Sequence, residues 1–191
     1  MARPRSFDPD KTLDLARDVF WRKGFQGTSL DDITAATGLA KPSLYAAFGD
    51  KNALFLKVLD RYHARIVASA ERMLADGPSA RQAIERWLTG FVPFCSGAGG
   101  TRGCLSVNTA ADGALDQKEI RKRVARFNAR LEQLLSDRLR ADRAQFPETF
   151  DPDDAAHAIM AIYLGLMVLA KDRPDAGRVH ATLKQAMKLL A

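Results

Sequence analysis

Between Thr37 and Phe48 the chain reads TGLAKPSLYAAF, and within twelve residues it gathers a lysine, a serine and a tyrosine around a proline. An ammonium, a hydroxyl and a phenol without a neighbouring carboxylate, imidazole or thiol make neither an acid–base pair nor a metal site. They are the kind of donors that meet phosphate oxygens and base edges of DNA. To act together they need one face of a rigid element, and the flanking residues supply the signals for it. Gly38 permits the positive φ of a tight turn. Pro42 suits the first turn of a new helix, where its missing N–H costs nothing. Ile33 before the turn and Leu44 after it are apolar and can lock two short helices together. The expected unit is a helix-turn-helix, whose second helix lies in the major groove while the first braces it. The same geometry also occurs in helical proteins that never touch DNA.

The remainder of the chain must position that unit. It has 191 residues, 47% of them hydrophobic, which is enough for a sizeable core. No segment alternates with period two, and every segment reads helical, so the expected class is all-α with about nine helices. Asp8 and Pro9 open a first helix with Leu13, Ala16, Val19 and Phe20 inward, and Gly24 stops it. Thr28-Ser29-Leu30-Asp31-Asp32 is a capping signature for the second helix, which Gly38 ends. A long helix from Asp50 to Met73 follows, broken by Asp76-Gly77-Pro78, and then one with Ile84, Trp87, Leu88 and Phe91. Ser96 to Thr101 is a glycine-rich loop. Asp116 to Ala144 reads as a long amphipathic helix, Asp151-Pro152 opens a mostly apolar one, and a last helix follows Arg173-Pro174.

Net charge is +6, which invites a nucleic-acid partner. Yet the first fifty-one residues carry eight basic and seven acidic side chains, so the surplus lies mostly elsewhere. MARPRSF has no apolar run after its arginines, so no secretory signal is expected. The nearly uncharged stretch Ala155–Ala170 reads as a buried helix too short to span a bilayer, and no membrane partner is expected. With Cys95 and Cys104 expected as reduced thiols, the location expected is the cytoplasm.

Four blocks sharpen the functional expectation: Phe20-Trp21-Arg22-Lys23-Gly24-Phe25, Thr28-Ser29-Leu30-Asp31-Asp32-Ile33, Gly38-Leu39-Ala40-Lys41-Pro42-Ser43-Leu44-Tyr45, and Phe48-Gly49-Asp50-Lys51 with Leu54-Phe55. Together these roughly fifty residues resemble the DNA-binding domain of TetR-family repressors. The resemblance implies a helix-turn-helix domain at 1–51 and a ligand-binding and dimerisation domain at 52–191. It implies that Lys41 and Ser43 reach base edges or phosphate, that Pro42 and Ala46 meet thymine methyl groups, and that Tyr45 hydrogen-bonds a phosphate. Thr28, at the start of the bracing helix, and Lys51, at the start of the next one, would bind phosphate. Phe20, Phe25, Ile33, Leu44 and Phe48 are expected in the core. Ala47 departs from a polar or aromatic residue common there, Ala40 from a serine cap, and Thr34 from an alanine. Weaker phosphate anchoring follows, and Arg3 and Arg5 could add an arm in the minor groove.

The implied partners are a pseudo-palindromic double-stranded operator, a small-molecule inducer and a second copy of the chain, with no cofactor and no metal. For the dimer interface, Ile159, Ile162, Gly165, Leu166 and Leu169 are expected with Val179, Leu183 and Met187, the alternative being a helix simply buried in its own chain. For the ligand, Trp87, Phe91, Phe94, Phe127, Tyr163 and Met167 could line a cavity with Tyr62, Asn108 or His157 as polar anchors, the alternative for each being core packing. A segment similar to Arg102-Gly103-Cys104-Leu105-Ser106-Val107-Asn108 recurs in one subset of TetR-like regulators. Cys104 near a helix start and Arg102 would have a lowered thiol pKa, suiting a sensor of electrophiles or oxidants; the alternative is a buried structural cysteine. A Cys95–Cys104 disulfide is a further option.

Enzyme signatures are weak. The glycines at 97, 99, 100 and 103 lack a following Gly-Lys-Ser/Thr, and His63, His157 and His180 have no metal-ligand spacing. Asp31-Asp32 and Asp153-Asp154 read as helix starts, and no Gly-x-Ser-x-Gly occurs. A helical enzyme or adaptor is the distant alternative.

Overall fold

Residues 7–96, 102–172 and 174–190 are described by a computed structural model, without the side chains of Phe94 and Leu189. Arg3, Arg5 and the glycines at 97, 99 and 100 lie outside the described residues, as does the side chain of Phe94. Among the described residues there are ten α-helices and no strand. Beyond the nine expected from sequence is α6 (Val92–Ser96), only five residues long.

Two compact units divide the chain, Met1–His63 with Asn108–Arg123, and Ala64–Val107 with Val124–Ala191. Compactness therefore divides the chain differently from a cut at 51/52, because the first unit takes in a later segment. The first unit holds α1 (Pro9–Lys23), α2 (Leu30–Thr37), α3 (Lys41–Phe48) and the start of α4 (Lys51–Ala75). Asp8 caps α1 by accepting from the Asp10 and Lys11 amides at 2.8 and 3.3 Å. Its core is aromatic, with Phe55 centred 4.7 Å from Phe20 and 4.8 Å from Phe25. Each such ring removed from water contributes about 1.5–3 kcal/mol. From α4, Arg61 pairs with Asp10 at 2.9 Å and Asp14 at 3.4 Å, fastening α1 along it.

The second unit is built on α5 (Ala80–Thr89), α6, most of α8 (Lys118–Ala141), α9 (Pro152–Leu169) and α10 (Ala176–Ala186). Between α6 and α8 lies the short α7 (Leu105–Ala111), which begins in the second unit and ends in the first. Leu131, Leu135 and Leu139 of α8 are wholly buried, as the three-and-four spacing requires. The helix is shorter than the expected Asp116–Ala144, since 3-10 turns at Ala114–Asp116 and Arg143–Gln145 take its flanks. α9 with its following turn, Pro152–Asp172, is 21 residues long and contains an 18-residue window of mean hydropathy 1.4, long and apolar enough to cross a membrane by length and composition. That exceeds the sixteen-residue run read from sequence. Ala155, Ala156, Ile159, Met160, Tyr163, Leu166 and Met167 are nevertheless buried within the chain, one whole face of the helix.

Candidate nucleic-acid interface

The turn between α2 and α3 forms as the sequence predicts. Gly38 sits at φ 70°, ψ 6°, with its amide donating to the Thr34 carbonyl at 2.9 Å. A Cβ there would meet nothing within 4 Å, so the glycine serves conformation alone. Beyond the turn, Ala40 provides no side-chain cap, and Lys41 and Pro42 open α3. Leu44 and Phe48 are 1% and 4% exposed and point inward, as does Ile33 of α2. Consequently Lys41, Pro42, Ser43, Tyr45 and Ala46 all face solvent on the remaining surface of an eight-residue helix. Tyr45 is one of two large hydrophobic side chains exposed among the described residues.

Two candidate phosphate contacts are corrected by the geometry. Thr28 is 2% exposed, and its hydroxyl donates to the Gly24 carbonyl at 2.6 Å. Ser29 is the N-cap instead, in a capping box with Asp32: the Ser29 hydroxyl accepts from the Asp32 amide at 3.1 Å, and Asp32 accepts from the Ser29 amide at 2.9 Å. Lys51 donates to the carbonyls of Phe25 and Thr28 at 3.0 and 2.9 Å, over the Phe25 ring at 4.6 Å. Its charge closes the loop between α1 and α2. Sequence spacing placed both residues at helix starts but could not show a carbonyl folding back onto them.

Other charges are arranged around α2 and α3. The Lys23 ammonium hydrogen-bonds Asp32 at 2.5 Å and, with the Ser29 amide and hydroxyl, holds the Asp32 carboxyl down at about 2. Lys41 pairs with Asp31 at 2.6 Å, and that hydrogen bond raises the Lys41 pKa above its ordinary value. Two positioning residues were not found from sequence. Lys57, one turn and a half into α4, reaches the carbonyls of Ala47 and Phe48 at 3.5 and 3.4 Å, at the end of α3 where free carbonyls need donors. Asp112 accepts from the Phe25 amide at 2.7 Å, across a sequence separation of 87 residues. Gly24 is required there twice over, with φ 73° and a hypothetical Cβ only 2.8 Å from the Asp112 Oδ2. No local pattern announces contacts so far apart along the chain.

In the second unit, Trp87, Phe91 and Tyr163 form one aromatic cluster with centroids 5.1–5.4 Å apart. Tyr163 is 1% exposed; burial pushes its phenol well above the usual range, and interaction with Cys104, by charge and hydrogen bond, and then with Cys95 acts in the same direction. Both cysteines are buried and neither is in a disulfide, so the disulfide option does not describe this structure. Burial pushes the Cys95 thiol up, and its Sγ lies 3.8 Å from the Leu166 carbonyl. Phe127 and Met167 are buried in the same unit, whereas Tyr62 and Asn108 belong to the first, where Tyr62 meets Trp21 edge-on at 5.2 Å. His157 is corrected: its side chain is 63% exposed and lies 3.5 Å from Glu132, so it is a surface residue and no anchor for a buried ligand. A cleft of about 390 Å³ between α5 and α10 is lined by Arg81, Glu85, Leu88, Thr89, His180, Leu183, Lys184 and Met187, none of them among the ligand candidates.

The expected pairing face is likewise redrawn. Ile159, Leu166, Val179, Leu183 and Met187 are at most 5% exposed in their own chain and have no surface left for a partner. Ile162, Gly165 and Leu169 keep exposure, and they continue into a stripe with Ala158, Ala161 and Val168, the last 56% exposed. A Cβ on Gly165 would meet nothing within 4 Å, so the backbone is open to close approach along that stripe.

Comparison with known proteins finds matches to both the N-terminal and the C-terminal part of the chain. Residues 13–58 match the family described as bacterial regulatory proteins, tetR family, and residues 78–187 match the tetracyclin repressor-like C-terminal domain. The HTH-type transcriptional repressor ComR of Escherichia coli is 31% identical over 173 residues, 89% of this chain and 82% of that protein. A cysteine mutant of the TetR family transcriptional regulator CifR, solved with a 26-bp double-strand operator DNA, superposes with a TM-score of 0.89 at 33% identity, covering 97% of this chain and 98% of that one. The reduced form of Escherichia coli NemR shares the fold, with a TM-score of 0.83 at 22% identity over 93% of each chain. The chain belongs to the TetR family of bacterial transcriptional regulators.

Proposed function

We propose that the protein is a homodimeric repressor that binds a pseudo-palindromic operator through α3 and releases it when a small molecule binds the second unit. The observation that carries this is the outward set Lys41, Pro42, Ser43, Tyr45 and Ala46 on a helix anchored by Leu44 and Phe48. Lys41 and Ser43 contact bases or phosphate, Tyr45 a phosphate, and Pro42 and Ala46 thymine methyl groups. One reading helix covers too few base pairs for specificity, so two copies read half-sites about 34 Å apart in successive major grooves. The stripe Ala158, Ala161, Ile162, Gly165, Val168 and Leu169 is the surface on which they pair, supported by its apolar character and open backbone. Working on DNA, the protein acts in the cytoplasm.

An inducer binds next to the Trp87–Phe91–Tyr163 cluster and favours a state whose reading helices no longer match the groove spacing. Release extends only as far as the difference in its affinity for the two states. Footprinting the dimer on the DNA upstream of its own gene tests the proposal: a protected palindrome is expected, and uniform salt-sensitive binding without protection would overturn it.

A thiol switch at Cys104 is favoured by one observation, its hydrogen bond with the buried Tyr163 phenol beside Cys95. Modification of a side chain that is 1% exposed would have to open this packed region. Cys104→Ser should then abolish release by electrophiles or hypochlorite while leaving operator affinity intact. Unchanged release would leave Cys104 a structural cysteine.

A further inference from the structure

Charge in the first fifty-one residues is nearly balanced, eight basic side chains against seven acidic, and around α2 the balance is local. At the start of α2 two carboxylates stand beside two lysines, and each carboxylate holds one of them: Asp32 with Lys23 at 2.5 Å and Asp31 with Lys41 at 2.6 Å. The two pairs differ in kind. Asp32 is also bound by the Ser29 amide and hydroxyl in the capping box, so its loss would weaken the start of α2 as well. Asp31 makes no cap. Its side chain is 76% exposed and that of Lys41 is 50% exposed, and Lys41 is the first residue of the helix that presents Ser43 and Tyr45. A pair this open to water is weakly held, so a phosphate brought to contact distance can replace Asp31.

We infer that Asp31 is a specificity-determining residue, which holds Lys41 back from DNA phosphates until α3 is seated in the groove. This rests on α3 being the reading helix. On non-operator DNA the Lys41 ammonium stays with Asp31, and the duplex meets a neutral pair rather than a cation. On the operator, the contacts of Ser43, Tyr45 and the apolar side chains bring the backbone close enough for phosphate or base to replace Asp31. The exchange trades one ion pair for another, so it adds little to non-specific affinity. The position suits the task, because the free amides at a helix start attract phosphate. Asp31 and Asp32 place negative charge at that end of α2.

The test compares wild type with Asp31→Asn on a random-sequence duplex and on the footprinted operator, over a series of salt concentrations. Asp31→Asn should tighten binding to random DNA by roughly tenfold for the dimer. The logarithmic salt slope should steepen by about two, one ammonium per protomer. Operator affinity should rise less, so the ratio between the two falls. Asp31→Glu, which can still reach Lys41, should restore wild-type behaviour. In a Lys41→Met background Asp31→Asn should have no effect. Persistence of the effect there would mean that Asp31 merely repels DNA, and would overturn the inference. Weaker binding by Asp31→Asn with an unchanged melt would overturn it too, since Asp31 would then be aiding the contact. If wild type shows no operator preference, the reading helix has been misplaced; the random-duplex arm still reports whether Asp31 restrains Lys41.

Discussion

The surface of α3 and the aromatic cluster of the second unit were both read from sequence as binding regions, and they have opposite characters. On α3 five of eight side chains face water, and the two large apolar ones face inward. Around Tyr163 almost everything is buried, with Trp87, Cys104 and Met167 at 1–2% exposure. A DNA-reading surface must stand ready in solvent, since its partner is a rigid rod that cannot enter a cavity. A small-molecule site can be closed by the chain's own side chains until the ligand arrives. Spacing along one short helix is sufficient to define the first kind of site. The second kind depends on which helices pack together.

Substitutions at the two regions should separate along that line. Lys41→Ala and Tyr45→Ala should each weaken operator binding by about 1–3 kcal/mol per half-site, on the order of a thousandfold for the dimer. Their thermal melts should match wild type, since both side chains are exposed. A lower melting temperature would give α3 a packing role and blur the comparison. Trp87→Ala should do the reverse, costing about 3–5 kcal/mol of stability in denaturant unfolding. A much smaller loss would mean that Trp87 borders an open cavity instead of filling a core.

Lys51, expected from sequence at a phosphate, sharpens the contrast within a single unit. Lys51→Met should lose charge-assisted hydrogen bonds to two carbonyls and destabilise the protein by about 1.5–3 kcal/mol. Measured at a temperature where the variant is folded, its DNA salt slope should equal that of wild type. A slope shallower by about one per protomer would return Lys51 to the phosphate backbone.

The smallest effect concerns the cap of α2. The Asp32 carboxyl is held at about 2, below the value of roughly 3.9 expected in the unfolded chain. A lowered native pKa means that its contribution is complete above about pH 4 and is lost as pH falls through about 2. The difference in melting temperature between wild type and Asp32→Asn should therefore be constant near neutrality and shrink between pH 4 and pH 2. A difference unchanged at pH 2 would place the capping contribution elsewhere.

What could be seen in the sequence follows from the range of the interactions. Capping residues, Gly38, Pro42 and the spacing of Ile33, Leu44 and Phe48 act within one or two turns, so residue types at fixed separations determine the helices, the turn and the outward face of α3. The all-α class and the family follow from the same local signals. Tertiary structure decided the partners of the polar groups. Lys51 turned to two carbonyls, Thr28 to Gly24, Lys41 to Asp31, and Phe25 received its acceptor from Asp112. It also decided which side of α9 remains open, removing Ile159 and Leu166 from the expected face, keeping Ile162, Gly165 and Leu169, and adding Ala158, Ala161 and Val168. A helix apolar nearly all round carries no mark of which face its own chain will cover, because hydrophobic burial is non-directional and is settled only when the neighbouring helices arrive.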